Sequence, residues 1–189
     1  QMTSNPLGGK GQKAGFVGIA TSPEVCIMDQ EGNQLSGEAE GEVCIRGDNV
    51  TPGYENNPAA NESSFTNGWF RTGDQGYFDG DGYLKITGRL KEIINRGGEK
   101  VSPLEVDNVL MDHPDIQQVV TFAVADRMLG EEIGAAVVLV DGAEMDAGEL
   151  RDYAEQHLAK FKIPKHVVFL EEIPKGATGK LQRIGLAKK

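Results

Sequence analysis

The stretch GYLKITGRLKEIINRGGEKVSPLEVDNVL, residues 82–110, decides the fold. Up to Arg89 it alternates apolar and polar side chains with period two, as a half-buried strand does. From Ser102 the pattern changes: Ser102 is placed to cap a helix, Pro103 takes its first position, and Glu105 follows three residues after the cap. Val106, Val109 and Leu110 then fall on one helical face. Between the two, residues 92–94 and 100–101 are short β-like pieces around Gly97-Gly98, which predicts a tight hairpin. The expected fold class is therefore α+β, with a change of architecture inside this stretch.

Upstream, the runs FVGIA, EVCIMD and GEVCIRG read as strands separated by Gly-, Asn- and Asp-rich turns. Asp29-Gln30-Glu31-Gly32 and Asp79-Gly80-Asp81-Gly82 are turn sequences in which Gly supplies a positive φ. These features predict a small, mostly antiparallel β domain ending near Arg89. Downstream, the helix should stop before Pro114, and strands are expected over 119–124 and 134–140, with Gly130 turning the chain. Asp146 with Glu149 repeats the capping pattern, and Leu150, Tyr153, Ala154, Leu158 and Phe161 recur at helical spacing. A last strand is expected over 167–170. This half reads as a small sheet with helices packed on it.

The chain has 189 residues, a net charge of -10 and a pI near 4.8. That balance argues against a nucleic-acid surface, which needs a basic patch to replace counterions. Cys26 and Cys44 lie in apolar runs, outside any CxxC or Cys/His cluster, and are expected as buried free thiols and not metal ligands. No stretch approaches the length of a membrane span, and the N-terminus has no apolar signal core. The chain opens on Gln1 and reads as a piece of a longer protein. Its Ala-Lys-Lys ending is not a Ser-Lys-Leu signal, and the expected compartment is cytoplasmic or peroxisomal.

Three segments invite a chemical reading. In Gly68-Trp-Phe-Arg-Thr-Gly-Asp-Gln-Gly-Tyr77, a carboxylate between glycines can approach a ligand closely and accept both hydroxyls of a ribose. On spacing alone, Thr72-Gly73-Asp74 reads first as a polar turn. Around Gly97-Gly98 the backbone can approach a thin substrate, or the segment is an ordinary hairpin before a capped helix. In Pro174-Lys-Gly-Ala-Thr-Gly-Lys-Leu-Gln-Arg183, Lys180 can set an ammonium against phosphate, or the segment is a solvated basic loop. Trp69, Phe70 and Tyr77 read as packing groups around Asp74. Glu31, Glu38, Glu40 and Glu42 read as a solvated acidic face. His113, His157 and His166 read as surface or helix-end residues.

Taken together and in this order, GEVCIRGDNVTPGY, GWFRTGDQGYFDGDGYLKITGRLKEIINRGGEKVSPLEVDNVL and PKGATGKLQR resemble successive core motifs of the acyl-adenylate-forming superfamily. QMTSNPL, RGDNVTPGY and INRGGEKVSPLEVD bring the resemblance nearest to the oxalate–CoA ligase group, related to 4-coumarate–CoA ligases. The resemblance implies an acid–CoA ligase that makes an acyl-AMP from ATP and a small carboxylic acid, then passes the acyl group to CoA. It implies residues 1–90 as the C-terminal β subdomain of a large domain, and 91–189 as a mobile lid. By position in the motifs, Asp74 and Arg89 would contact the ATP or AMP ribose, and Lys180 would be catalytic. Lys91 would be the hinge. Gly97 and Gly98, with Arg96 and Lys100 as further candidates, would face CoA. Magnesium would be held by residues upstream of the chain, and no metal ligand is assigned within it.

There are departures. Asn95 stands where some relatives have a lysine, and Gly176 where many have threonine. Two other readings stay open: an adenylation domain serving a carrier protein, and a non-catalytic nucleotide- or CoA-binding fragment. The chain alone is expected to have no adenylation activity.

Overall fold

The computed structural model describes residues 2–6, 11–176, 181, 183 and 186–188. The chain divides into two compact units, Gln1–Lys91 and Glu92–Lys189. Mixed α+β architecture with mostly antiparallel sheets is what the hydrophobic patterning predicts.

The first unit is built on strands β1 (Thr3–Ser4), β2 (Gly18–Ala20), β3 (Glu24–Met28), β4 (Gln34–Leu35) and β5 (Gly41–Arg46). A short helix α1 (Pro58–Ser64) follows, then β6 (Phe65–Thr66), β7 (Trp69–Phe78) and β8 (Tyr83–Arg89). Among the described residues these form one sheet in the order β1-β2-β8-β7-β5-β3-β4, with β6 paired to β7. Period-two alternation splits its strands between two faces. Ile27, Val43 and Leu84 bury one face with Phe78 and Ile86, while Met28, Cys44 and Trp69 bury the other. The Arg46 guanidinium lies 4.4 Å from the centre of the Trp69 ring and forks onto Glu24. Helix α1 has no apolar signature in the sequence because it buries none of its residues; Asn57 caps it and Pro58 starts it.

The second unit contains β9 (Ile94–Arg96), β10 (Glu99–Val101), α2 (Pro103–Met111), β11 (Ile116–Asp126), β12 (Gly130–Leu139), α3 (Ala147–Glu155) and β13 (His166–Phe169). The sheet order is β10-β9-β12-β11, and β13 joins β12 in parallel. Val106 and Leu110 of α2 and Leu150 and Ala154 of α3 pack on Val119, Ile133, Ala135 and Val137. The other face carries Val120, Phe122, Ala136 and Val138 beneath Ile173 and Leu186.

Asp146 and Glu149 form the reciprocal capping box expected from their spacing, with bonds of 2.6–2.9 Å. Ser102 behaves differently: its hydroxyl makes no capping bond, and Pro103 alone marks the start of α2. Helix α3 ends at Glu155, so Leu158 and Phe161 reach the core from the following turns.

Candidate functional site

In the first unit, the Thr72-Gly73-Asp74 segment lies within a ten-residue strand, β7, and not in a loop. Its register explains how Asp74 is presented. Cys44 of β5 faces Arg71, but Glu42 faces Gln75, so two steps along β5 match four along β7. The surplus bulges out of the ladder at Thr72, Gly73 and Asp74. On its other side β7 pairs with β8, which sets Asp74 directly opposite Arg89. Arg89 Nε lies 3.0 Å from Asp74 Oδ1; the carboxylate is mostly covered and the guanidinium half exposed.

Three bonds hold the bulge. The Thr72 hydroxyl donates to the Val43 carbonyl at 2.7 Å and accepts the Asp74 N–H at 3.1 Å. The Gly73 N–H donates to Glu42 Oε1 at 2.9 Å. Gly73 has φ +74°, a left-handed conformation that favours glycine, and no atom lies within 4 Å of where a Cβ would sit. The requirement for glycine is therefore conformational, and there is free space around that Cβ position.

Glu42 corrects the reading of a solvated acidic face. Glu31, Glu38 and Glu40 are exposed, but Glu42 is 6% exposed. Its other oxygen accepts from Arg71 Nε at 2.7 Å. The acidic run GEAEGE conceals this, because the partners that hold Glu42 buried, Arg71 and the Gly73 N–H, lie on β7 about thirty residues away. Trp69, expected beside Asp74, packs with Met28 and Cys44 instead. Cys26 and Cys44 are free and face each other across β3 and β5. Burial pushes their thiols up to about 11 and about 12, so neither is a nucleophile at neutral pH.

In the second unit, the predicted hairpin is present. Arg96 faces Glu99 and Asn95 faces Lys100, with Gly97 and Gly98 as the two turn residues at φ +58° and +97°. Two positive φ values in a two-residue loop match the right-handed twist of the strands. The Gly97 N–H donates to the Leu129 carbonyl at 2.8 Å, tying the tip to the β11–β12 turn. Gly97, Gly98 and Lys100 are exposed, and among the described residues Lys100 makes no ion pair.

Arg96 is engaged within the unit: its Nε lies 2.5 Å from Oε1 of Glu132 and its second nitrogen 3.1 Å from Oε2. Glu132 is 1% exposed. Burial pushes its carboxyl up, but the bonds from Arg96 and the Ile133 N–H outweigh that and hold it below the usual range. Arg96 is thus paired with Glu132 while partly exposed, and Lys100 is exposed at the surface of the hairpin. Lys91 sits, exposed, in a 3-10 turn over Leu90–Glu92.

Lys180 lies outside the described residues. Lys175 and Leu181 pair as an antiparallel bridge. Arg183, to which the sequence alone assigned nothing, is anchored by three groups. Its Nε meets Glu92 at 3.0 Å, one terminal nitrogen meets Asp107 at 2.8 Å, and the other donates to the Thr121 carbonyl at 2.5 Å. Burial pushes the Asp107 carboxyl above its ordinary value, although Arg183 and the Thr121 N–H pull it back. Arg183 was visible as the last residue of PKGATGKLQR; its partners, up to 91 residues away, were not.

Among the described residues no group of three or more His, Cys, Asp and Glu is disposed to hold a metal ion. Nor is any helix among them long and apolar enough to cross a membrane.

Comparison with known proteins bears on both units. Residues 105–180 match the AMP-binding enzyme C-terminal domain. A probable CoA ligase, CCL9, of Humulus lupulus is 54% identical over 96% of this chain and 35% of its own length. The oxalate–CoA ligase of Arabidopsis thaliana is 50% identical over 96% of the chain and 36% of its own length. The structure of o-succinylbenzoate CoA synthetase from Bacillus subtilis, in complex with ATP and magnesium ion, superposes with a TM-score of 0.83. It is 37% identical and covers 92% of this chain and 36% of its own. The chain thus spans about a third of the length of the relatives it matches.

Proposed function

We propose that this chain, whose residues 105–180 match the AMP-binding enzyme C-terminal domain and which is 50–54% identical to CoA ligases over 96% of its length, is the C-terminal portion of an ATP-dependent, AMP-forming carboxylic acid–CoA ligase of the adenylate-forming family. The observation that carries the proposal is the bulge on β7. It holds an acidic side chain, Asp74, directly opposite Arg89, with free space beside the preceding Gly73.

Each half-reaction gives these residues a task. In the first, a carboxylate oxygen attacks the α-phosphorus of ATP and pyrophosphate leaves, giving an acyl-AMP. Asp74 accepts hydrogen bonds from the ribose hydroxyls, and Arg89, already paired with Asp74, makes a further ribose contact. Lys180 sets its ammonium against the charge that builds between carboxylate and phosphate, a stabilisation by a positioned cation. In the second, the CoA thiol attacks the acyl carbon, AMP leaves, and the thiol proton is lost to solvent. The Gly97-Gly98 turn leaves room for the pantetheine arm, and Lys100 is a cation available to a CoA phosphate.

Lys91 is proposed as the hinge; the boundary between the compact units falls immediately after it. On that reading the residues up to 90 complete a larger adenylate-forming domain and those from 91 form the lid. Magnesium would accompany the nucleotide, and no residue of this chain is assigned to it. Oxalate is the proposed acid, supported by 50% identity to the Arabidopsis protein of that name.

The test is product analysis with the whole protein that contains this chain, supplied with ATP, magnesium, CoA and a panel of small mono- and dicarboxylic acids. AMP, pyrophosphate and oxalyl-CoA should form together in equal amounts. Release of ADP and phosphate, or no thioester with any acid, would refute the proposal.

A further inference from the structure

We propose that Glu42, with Arg71 as its counter-ion, is a positioning residue for the ribose carboxylate Asp74. The inference rests on the reading that Asp74 binds the ribose of the nucleotide.

The geometry leads to Glu42 in three steps. First, the β5–β7 ladder skips over Thr72, Gly73 and Asp74, so toward β5 they fall outside the regular ladder bonds, while Asp74 still pairs with Arg89 of β8. Second, the bonds that replace them come from two side chains. The Thr72 hydroxyl bridges the Val43 carbonyl and the Asp74 N–H, and the Glu42 carboxylate takes the Gly73 N–H at 2.9 Å. Third, Gly73 is the residue with the least intrinsic conformational restraint, and it immediately precedes Asp74. Fixing its N–H fixes the direction in which Asp74 leaves the backbone.

The charge of Glu42 matters as well as its shape. A carboxylate at 6% exposure is strongly disfavoured unless paired. Arg71 pairs it, with Nε at 2.7 Å and the nearer terminal nitrogen at 2.5 Å. Arg71 also reaches the Thr66 hydroxyl at 3.4 Å, tying the pair to β6. The carboxylate therefore keeps one oxygen on Arg71 and the other on the bulge. Nothing lies within 4 Å of the position a Cβ would take on Gly73, so the Glu42 carboxylate holds the Gly73 N–H while the space beside the Gly73 Cα stays free.

The experiment uses the whole protein and compares ATP with 2′-deoxy-ATP in pyrophosphate exchange at saturating acid. A substitution that only loosened the fold would slow both nucleotides alike. Loss of ribose positioning instead lowers the preference for ATP and acts mainly on its KM. Glu42→Gln keeps the volume and removes the charge. It should reduce the ATP preference on the order of 10-fold, the range for losing one hydrogen bond to a charged group. Thr72→Val, which removes the second tether at nearly constant volume, should reduce it in the same direction and decides the matter if Glu42→Gln does not fold. Adding Glu42→Gln to Asp74→Asn should give no further loss, since the two act in series.

An unchanged ATP preference in Glu42→Gln, with a collapsed one in Asp74→Asn, would overturn the assignment of Glu42. An unchanged preference in Asp74→Asn would instead overturn the ribose role of Asp74, and the two failures are told apart by that variant.

Discussion

Replacing Arg183 by Met tests how the second unit holds its C-terminal segment. The substitution keeps most of the side-chain volume and removes three contacts: the ion pairs with Glu92 and Asp107 and the bond to the Thr121 carbonyl. Asp107 decides the size of the effect. It is about nine-tenths buried, and its Thr121 N–H bond remains after the substitution. Leaving a buried carboxylate without its partner costs about 3–5 kcal/mol when it must stay ionised. The protein has a way to limit that cost, because Asp107 can fold protonated.

The sign follows from where its pKa already stands. Burial holds the folded value above the ordinary 3.8 even with Arg183 present. The folded state therefore binds more protons than the unfolded state over that window, and stability falls as pH rises through it. Without Arg183 the window extends upward. Urea unfolding should show a loss of about 1–2 kcal/mol at pH 5, from the two other contacts. At pH 8 the loss should approach about 3 kcal/mol. Adding Asp107→Asn should recover much of the difference between the two pH values. A loss that is the same at both pH values, or one below about 0.5 kcal/mol at pH 8 where the buried-pair cost should be fully expressed, would refute the reasoning.

Two further outcomes follow from the packing and the caps. At Gly76 a Cβ would lie 2.4 Å from the Lys85 carbonyl oxygen, so Gly76→Ala must push β7 and β8 apart; a loss of about 2–4 kcal/mol is expected in thermal or urea unfolding, and a neutral result would contradict the β7–β8 register. Asp126 is held below its ordinary value first by the Leu129 and Met128 N–H groups, and Asp146 by those of Glu149 and Gly148. Their contribution is complete above the ordinary carboxylate value of 3.8 and lost as pH falls below it, so Asp146→Asn should flatten the acid limb of the unfolding curve; an unchanged acid limb would contradict the cap.

What was legible in the sequence was local. The capping box of α3 needs only Asp146 and Glu149 at the right spacing, and the Gly97-Gly98 turn needs only two residues free to take positive φ. The strands β3, β5 and β8 announce themselves by alternation. What was not legible depends on pairing across distance. The bulge at Gly73 comes from the register of β7 against β5, and no window of either strand contains it. Glu42 looked solvated because its neighbours Glu38 and Glu40 are; Arg71 and the Gly73 N–H of β7, about thirty residues away, are the partners that hold it buried. Arg96 was legible as a cation beside the glycine turn, but its ion-pair partner Glu132, 36 residues on, was not. Helix α1 escaped notice because it has no buried face to give it a period.

We propose that this chain supplies the ribose-binding bulge and the lid of an adenylate-forming CoA ligase, with Lys180 acting in one half-reaction and Lys91 serving the change between the two. The most direct measurement separates the half-reactions in the whole protein: pyrophosphate exchange for adenylation, and thioester formation from supplied acyl-adenylate for CoA transfer. Lys180→Ala should lose adenylation by on the order of 100-fold or more, as for a transition-state donor, while thioester formation is largely kept. Lys91→Pro, which fixes φ at the hinge, should show the reverse. Equal losses in both half-reactions for either variant would contradict the account.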